Sequence, residues 1–248
     1  MDRATAQQMT ALTCDFYRRV GPSFSATRAG AWPGWERVLD LIATCGDAPH
    51  VLDLACGNLR FERALFGRMP AACAWAVDSC DEMASGDDPR ISFIHCDLAG
   101  ALLGDGTLPS VPPCDAAVSF AFMHHLPLPE QRVRLMEVLV DAVRPGGIVA
   151  VSFWQFADDA RLLAKARAAS EAAAARYDLS AFGPDDYLMG WQDERDAFRF
   201  CHHASDAEID MLVEAVSSRA HVVARYNADG ASGRLNQYVV LEKEEVAP

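Results

Sequence analysis

Short apolar runs alternate with segments of helical periodicity through the middle of the chain. Strands that alternate with helices in this way are typical of βαβ units, whose parallel sheet is buried on both faces. The runs predicted to be strands are His50–Cys56, Cys73–Asp78, Ile91–Cys96, Asp115–Phe122 and Ile148–Trp154. The segments predicted to be helices between them are Asn58–Met69 and Pro129–Val143.

The C-terminal part of the chain predicts a helix followed by a hairpin. Ser205 and Glu208 form the S-x-x-E pattern of a capping box, ahead of apolar residues at helical spacing. The apolar runs His221–Tyr226 and Gln237–Glu242 are separated by a short turn rich in Gly, Asp and Ser, which can only join antiparallel neighbours. The expected fold class is therefore α/β, with a mostly parallel sheet, an antiparallel C-terminal strand and helices on both faces.

Composition fits one folded unit and restricts its partners. The 248 residues are 51% hydrophobic, which is enough apolar material for one sizeable core. The net charge of -13 disfavours a broad nucleic-acid-binding surface, although a local basic pocket is compatible with it. The cysteines form no CxxC pair, so no metal site is predicted. The chain shows no secretory signal and no apolar run long enough for a membrane span, so we expect a cytoplasmic protein.

Three acidic residues stand where consecutive predicted strands end. Asp53 precedes the small-x-Gly turn 55–57, in which the glycine allows the backbone to reverse sharply. Asp78 lies 21 residues after Gly57 (78 − 57), the spacing at which an acid grips the hydroxyls of a nucleotide ribose, and Asp97 ends the third strand. Because the carboxyl ends of parallel strands meet in one crevice, a nucleotide site is predicted there. A nicotinamide cofactor is the alternative, but the full G-x-G-x-x-G pattern is missing.

The three acids and the small-x-Gly turn together resemble the class I S-adenosylmethionine-dependent methyltransferases. The resemblance implies a Rossmann-like seven-stranded sheet, S-adenosylmethionine as cofactor and S-adenosylhomocysteine as product. In that family the first motif wraps the methionine part, the second acid holds the ribose and the third holds the adenine amino group. Ala55 and Leu59 stand where the family often has Gly, and Leu59 is interpreted as narrowing the pocket or changing the cofactor pose. The residues expected to bind the cofactor are Asp53, Ala55, Gly57, Asn58, Asp78, Ser79, Asp97, Leu98 and Phe120.

Five further motifs extend the resemblance over most of the chain. They are Phe24-Ser25-x-Thr27-Arg28 with Trp32-Pro33, Ala121-x-x-His124-His125, Phe153-Trp154 after Pro145-Gly146-Gly147, Tyr187-Leu188-x-x-Trp191, and Arg199-x-x-His202. In this order they are similar to motifs of the tRNA wobble-uridine carboxymethyl methyltransferases, although a His-Arg pair of that family is Phe198-Arg199 here. The resemblance implies methyl transfer to a carboxylate oxygen of tRNA carboxymethyluridine. Eukaryotic members use a small activating subunit; the sequence indicates neither such a partner nor an oligomeric state.

The residues expected at the reacting group follow from these motifs. Methylation of a carboxylate needs alignment, desolvation and a cation that orients the acid, and the candidate holders are Arg28, Arg199 and His202. His125 is the candidate base if the acceptor is a hydroxyl or an amine. Two alternatives stay open: Arg28 could pair with a surface acid, and the His124–His125 pair could cap a helix instead of lining the pocket.

The chain is interpreted as a single methyltransferase domain. Its parts are 1–45, a helical N-terminal cover; 46–155, the cofactor-binding core; 156–204, a helical insertion over the strand ends; and 205–248, the C-terminal helix and hairpin. A small carboxylate, or another O- or N-acceptor, is the alternative substrate, and the net charge favours it. A non-catalytic module on the same fold is the alternative to an enzyme, because Ala55 and Leu59 depart from the first motif.

Overall fold

The computed structural model describes residues 1–28, 30–81, 88–192 and 194–245, so the last three residues of the predicted C-terminal part lie outside it. Within these ranges the chain forms seven α-helices and nine β-strands. The helices are α1 (Arg3–Ala26), α2 (Trp35–Ala43), α3 (Arg60–Arg68), α4 (Leu98–Leu103), α5 (Pro129–Ala142), α6 (Ala160–Ala173) and α7 (Asp206–Glu214). The strands are β1 (His50–Leu54), β2 (Cys73–Asp78), β3 (Ile91–His95), β4 (Cys114–Ser119), β5 (Val143–Trp154), β6 (Asp186–Trp191), β7 (Glu194–His202), β8 (Ala220–Ala228) and β9 (Asn236–Lys243).

Seven of the strands form one sheet in the order β3-β2-β1-β4-β5-β9-β8. Strands β1 to β5 pair in parallel, and β9 runs antiparallel to both of its neighbours, β5 and β8. The short turn between β8 and β9 imposes the antiparallel pairing of these two strands, because a parallel return would need a crossover of a dozen or more residues. The predicted fold class, a Rossmann-like sheet of seven strands with an antiparallel C-terminal strand, is confirmed.

Helices cover both faces of the sheet, and successive residues of the central strand point to different layers. Val51 packs in the cluster that holds α2 and α3, whereas Leu52 packs in the cluster that holds α4, α5 and α7. This follows from the two-residue period of a strand, whose side chains alternate between its faces. Asp53 is two residues beyond Val51, so its side chain lies on the α3 side of the sheet.

The segment 156–204 corrects one prediction. It begins with α6, as the Ala-rich sequence indicates, but β6 and β7 then form a separate two-stranded antiparallel sheet. The helical description is therefore wrong for the residues of β6 and β7. The C-terminal half of β7, residues 197–202, is buried without alternation, so the two-residue polarity pattern that reveals a half-exposed strand is missing.

Helix α1 is the main part of the N-terminal cover. It packs against β7, where the Phe200 amide donates a 3.1 Å hydrogen bond to Thr13 Oγ1. The cover and the hairpin of the 156–204 segment therefore form one layer, held together by side chains such as Met9 and Phe198. None of the described helices is both long and apolar enough to cross a membrane.

Candidate functional site

A cavity of about 400 Å³ lies at the carboxyl ends of the parallel strands, under α1 and β7. Open α/β sheets bind their ligands at this edge. All nine residues expected to bind the cofactor line this cavity, and Arg28, His125 and Arg199 line it as well. Their convergence is observed, and their individual roles stay predictions.

In the loop after β1, three of five consecutive residues have a left-handed backbone conformation. The φ angles are +69° at Ala55, +56° at Gly57 and +58° at Leu59. A non-glycine residue in this region costs about 1–2 kcal/mol, which is the physical reason for expecting Gly at positions 55 and 59. Leu59 does not line the cavity; its side chain is buried with Cys56 and Ala76. The interpretation that Leu59 narrows the pocket is therefore wrong.

Asp78 ties this loop to the end of β2. Its carboxylate accepts hydrogen bonds from the amides of Gly57, at 2.9 Å, and Cys80, at 3.0 Å. Burial raises the pKa of Asp78, although these backbone donors favour its charged form. Asp97 at the end of β3 caps α4 by accepting from the Gly100 amide at 3.0 Å. Helix α4 was not predicted, since its six apolar and small residues are too few to show a period.

A second acid, which the sequence reasoning missed, lies beside Asp53. Glu62 in the first turn of α3 is 0% exposed and Asp53 is 2% exposed. Burial raises the pKa of Asp53 well above its ordinary value, and the neighbouring Glu62 carboxyl adds to the effect. Burial also raises the pKa of Glu62, to about 7. The available signal was its spacing of three and four residues before the apolar Leu65 and Phe66, which places Glu62 on the inner helix face.

Two arginines, Arg28 and Arg199, place positive charge on the side of the cavity formed by the N-terminal cover and β7. Arg199 on β7 is 6% exposed, and neither its Nε nor its Nη1 finds an acceptor in the described part of the chain. Its guanidinium lies 4.7 Å from the Phe16 ring centre, and that of Arg28 lies 3.4 Å from the Phe24 ring centre. Burial lowers the pKa of Arg28 to about 10.

We call Arg28 and Arg199 the cationic wall, and Asp53, Asp78 and Asp97 the acidic wall. No described ion pair joins the two walls, and neither arginine pairs with any described acid. The alternative in which Arg28 pairs with a surface carboxylate is therefore wrong.

His125 is anchored on both sides of its ring. Its Nδ1 donates to the Phe200 carbonyl at 2.7 Å, so its Nε2 accepts from the Tyr17 hydroxyl at 2.8 Å. Burial, with the charge of Arg199, lowers the pKa of His125 to about 3. The lone pair that a general base would use is occupied by Tyr17, so the structure does not support His125 as a free base.

His124 has a different environment in the same turn, Met123–His125. Its ring packs against Trp154, and its Nδ1 has no hydrogen-bond partner among the described residues. Both histidines line the cavity, which favours the pocket-lining interpretation over helix capping. Donor atoms of His124, His125 and Cys201 lie within 4.8 Å of one another. Both nitrogens of His125 are already bonded, however, and the charge of nearby Arg199 opposes a cation there.

His202 is the one predicted site residue that the structure places outside the cavity lining. Its Nδ1 lies 2.8 Å from Asp186 and its Nε2 lies 2.7 Å from Glu208, whose other oxygen accepts from Arg132 at 2.7 Å. Although burial disfavours the charge, the hydrogen bonds with Asp186 and Glu208 raise the pKa of His202. His202 thus links the hairpin to α7, and its prediction as a carboxylate holder is wrong.

Methyltransferases are among the solved structures with a similar fold, although sequence identity to them is low. A Burkholderia thailandensis 1,6-didemethyltoxoflavin-N1-methyltransferase, bound to 1,6-didemethyltoxoflavin and S-adenosylhomocysteine, matches 97% of this chain and 91% of its own, with a TM-score of 0.62 at 14% identity. A SAM-dependent methyltransferase from Methanosarcina mazei matches 88% of this chain and all of its own, with a TM-score of 0.61 at 14% identity. The chain has the class I methyltransferase fold. No protein-family model matches it.

Curated proteins similar in sequence to this methyltransferase-fold chain are methyltransferases too. It is 28% identical over 164 residues to the Arabidopsis thaliana tRNA (carboxymethyluridine(34)-5-O)-methyltransferase, covering 60% of this chain and 34% of that protein. A Mus musculus protein of the same activity name is 26% identical over 141 residues, 56% of this chain and 19% of its own. The trans-aconitate 2-methyltransferase of Rhizobium meliloti (strain 1021) is 32% identical over 139 residues, 54% of this chain and 50% of its own. The chain thus spans half or less of these relatives, and the predicted resemblance to S-adenosylmethionine-dependent methyltransferases is confirmed.

Proposed function

We propose that the chain is an S-adenosylmethionine-dependent methyltransferase whose acceptor is a carboxylate oxygen of a small organic acid. The observation that carries the acceptor class is the cationic wall. A buried guanidinium without an acceptor is costly, and a carboxylate supplies paired acceptors in the geometry that Arg prefers. Arg199 leaves two nitrogens unbonded, and Arg28 stands beside the same Phe24 ring.

The acidic wall fits the cofactor. The two carboxylate oxygens of Asp78 keep lone pairs beyond their backbone bonds, and they can accept from ribose hydroxyls. The left-handed loop 55–59 exposes backbone where a ligand can approach closely. When bound, S-adenosylmethionine supplies an electrophilic methyl group on a positively charged sulfur. Its net positive charge suits a wall of acids.

The reaction asks for positioning and dehydration. A carboxylate is already a nucleophile at neutral pH, so the protein has to align it with the methyl group and exclude water. The arginines hold the acceptor, and the aromatic rings of Phe16, Phe24 and Trp154 keep the surroundings dry. The engaged state of His125 agrees with a reaction that needs no base.

Esterification of tRNA carboxymethyluridine is the second candidate, and the Arabidopsis and mouse relatives favour it. The surface opposes it, because the net charge is -13 and exposed arginines such as Arg3, Arg68 and Arg176 are paired with acids. Phosphate backbones need unpaired cations. The Rhizobium relative, named for a small acid, supports the first candidate. An activating subunit, which eukaryotic members of that family use, would belong to the second candidate.

The two candidates differ in their response to salt. Methyl transfer to unfractionated tRNA and to a panel of mono-, di- and tricarboxylic acids should be measured across a salt series. For a small acid we expect a shallow dependence, because one local contact releases few counterions, whereas tRNA would give a steep one. Arg28→Lys keeps the charge but loses the two-pronged geometry, so it should lower activity and leave cofactor affinity nearly unchanged. Activity on neither substrate, or a fully active Arg28→Lys, would overturn the proposed acceptor site.

Cofactor binding is tested separately. Calorimetry should show binding of S-adenosylhomocysteine and no binding of NAD(P), which distinguishes the proposal from an oxidoreductase. A protein that binds S-adenosylhomocysteine but transfers a methyl group to neither tRNA nor the acids would contradict the proposed acceptor class and leave the cofactor assignment standing.

A further inference from the structure

Two carboxyl groups share one buried position behind the acidic wall. Asp53 lines the cavity at the end of β1, and Glu62 lies behind it in α3. Asp53 Oδ1 and both Glu62 carboxylate oxygens are buried without an ordinary donor among the described residues, and the two carboxyl groups are each other's side-chain hydrogen-bond partner. Two carboxylates so placed cannot both be charged without a cation, so they retain a proton between them.

The charges around the pair do not provide that cation. Asp78 on β2 is a third acid acting on both carboxyl groups, and the thiol of Cys56 is kept neutral because burial raises its pKa. Arg63 is the basic group that acts on Glu62, and its side chain is exposed on the outer face of α3. The pair therefore presents negative charge to the cavity with its positive partner missing from the described chain.

We propose that Asp53 and Glu62 form a proton-exchanging subsite for the ammonium group of the cofactor's amino acid part, with Glu62 as a positioning residue that acts through Asp53. When the ammonium group binds, the shared proton leaves to solvent and the charge of the pair changes from one negative to two. No covalent bond other than that O–H bond is broken. The inference rests on the proposed function, since it requires the cofactor to bind here.

The sign of the pH dependence follows from this exchange. Burial raises the pKa of Asp53, and that of Glu62 to about 7, so the free protein holds the shared proton at pH 6 to 7. Each bound cofactor then releases up to one proton, so its dissociation constant falls as the pH rises, by at most about tenfold per pH unit in this range. The dependence weakens above it, where the free pair has already lost the proton.

Calorimetry in buffers of different ionisation enthalpy counts the released protons directly. We would titrate the protein with S-adenosylhomocysteine at pH 6.5, below the range of about 7.7–8.0 where α-amino groups titrate. 5′-Methylthioadenosine is the matched probe, because it lacks the amino acid part. The wild type should release about 0.5–1 proton with S-adenosylhomocysteine and none with 5′-methylthioadenosine, by the linkage relation.

Glu62→Gln tests the second carboxyl group. The variant should release no proton and bind S-adenosylhomocysteine about 3- to 10-fold more weakly, because the pair can no longer reach two negative charges, while 5′-methylthioadenosine binds unchanged. Glu36→Gln, an exposed acid in the first turn of α2, is the control and should behave as wild type.

Three outcomes would overturn the subsite. They are wild-type binding of S-adenosylhomocysteine without proton release, equal release with 5′-methylthioadenosine, and full release by Glu62→Gln. Failure of the wild type to bind S-adenosylhomocysteine at all would overturn the proposed function as well, so the two failures are distinguishable. If Glu62→Gln does not fold, the difference in proton release between S-adenosylhomocysteine and 5′-methylthioadenosine on the wild type still tests the subsite.

Discussion

The two walls of the cavity are built in different ways from different parts of the chain. The acidic wall stands at the carboxyl ends of β1, β2 and β3, and backbone amides orient the carboxylates of Asp78 and Asp97. The cationic wall comes from Arg28, two residues after the end of α1, and from Arg199 on β7, and aromatic rings hold both side chains in place. The comparison teaches that the sheet supplies the part of the site suited to a common cofactor. Under the proposed function, the layer above it supplies the part that selects the acceptor.

The largest expected effect is on the cationic wall. Arg199→Met removes two unbonded donors, so kcat/KM for the acceptor should fall by about 3 kcal/mol, or about 150-fold, the upper range for hydrogen bonds to a charged group. The affinity for S-adenosylhomocysteine should stay within about twofold if the walls act independently. The exposed Arg176, paired with Asp196, provides the control Arg176→Met, which should have little effect. Steady-state kinetics measure kcat/KM for the acceptor, and calorimetry measures the affinity for S-adenosylhomocysteine. Equal losses in both would contradict separate roles for the two walls.

The acidic wall should respond in the reverse way. Asp78→Ala is expected to weaken S-adenosylhomocysteine binding by about 2 kcal/mol, or about 30-fold, because a charged hydrogen-bond acceptor is lost. At saturating cofactor, the KM for the acceptor should hardly change. Calorimetry measures the dissociation constant of S-adenosylhomocysteine. Circular dichroism checks that loss of the hydrogen bond between Asp78 and the Gly57 amide has not unfolded the protein. An unchanged dissociation constant would remove Asp78 from the cofactor site.

A smaller effect is expected in the loop that carries the acidic wall. Ala55 has a φ of +69°, so Ala55→Gly should relieve backbone strain and raise the free energy of unfolding by about 1 kcal/mol, net of the greater chain entropy of glycine. Urea denaturation measures the change. Gly67→Ala makes the reverse substitution at a helical position, since this α3 glycine has a negative φ and open space around it. It serves as the control and should also stabilise the protein slightly, because alanine favours helix over glycine. A destabilised Ala55→Gly would show that the methyl group of Ala55 contributes more than its strain costs.

The smallest expected effect concerns pH at the cationic wall. The pKa of His125 is lowered to about 3, so its ring is uncharged between pH 6 and pH 8. A carboxylate acceptor with a pKa of about 4 is ionised throughout the same range. At saturating cofactor, kcat should therefore vary by less than about twofold between pH 6 and pH 8. An ordinary histidine base would instead lose activity as the pH falls through about 6.5. A fall in kcat with a midpoint at about pH 6.5 would support His125 as the base.

The sequence predicted the acidic wall more completely than the cationic wall. Asp53, Asp78 and Asp97 each end a short apolar strand, so local pattern and parallel topology suffice to bring them together. Arg28 and Arg199 lie 171 positions apart (199 − 28), and no local period relates them. Only their motif resemblance brought them into one site.

Two misses have the same physical origin. His202 lies three residues after Arg199, but on a strand these side chains point to opposite faces, and the hairpin had been interpreted as helical. Glu62 was missed because an acid in a first helical turn usually favours the helix dipole at the surface, and its burial depends on the tertiary position of β1. Both errors arise where the surroundings of a side chain depend on the tertiary position of its element, and the local spacing, such as that of Glu62 before Leu65 and Phe66, indicates only the face on which it lies.

Helix α1 lies over both sides of the cavity at once. Its Thr10 and Cys14 line the cavity together with Tyr17, whose hydroxyl is bonded to His125. Under the proposed function, release of the methyl ester and exchange of the spent cofactor would both depend on the displacement of this one helix. Such an event limits turnover in many enzymes, and it is governed by solvent friction more than by bond making. Two acids of unequal nucleophilicity would then be consumed at the same maximal speed, and added glycerol would slow both by the same factor.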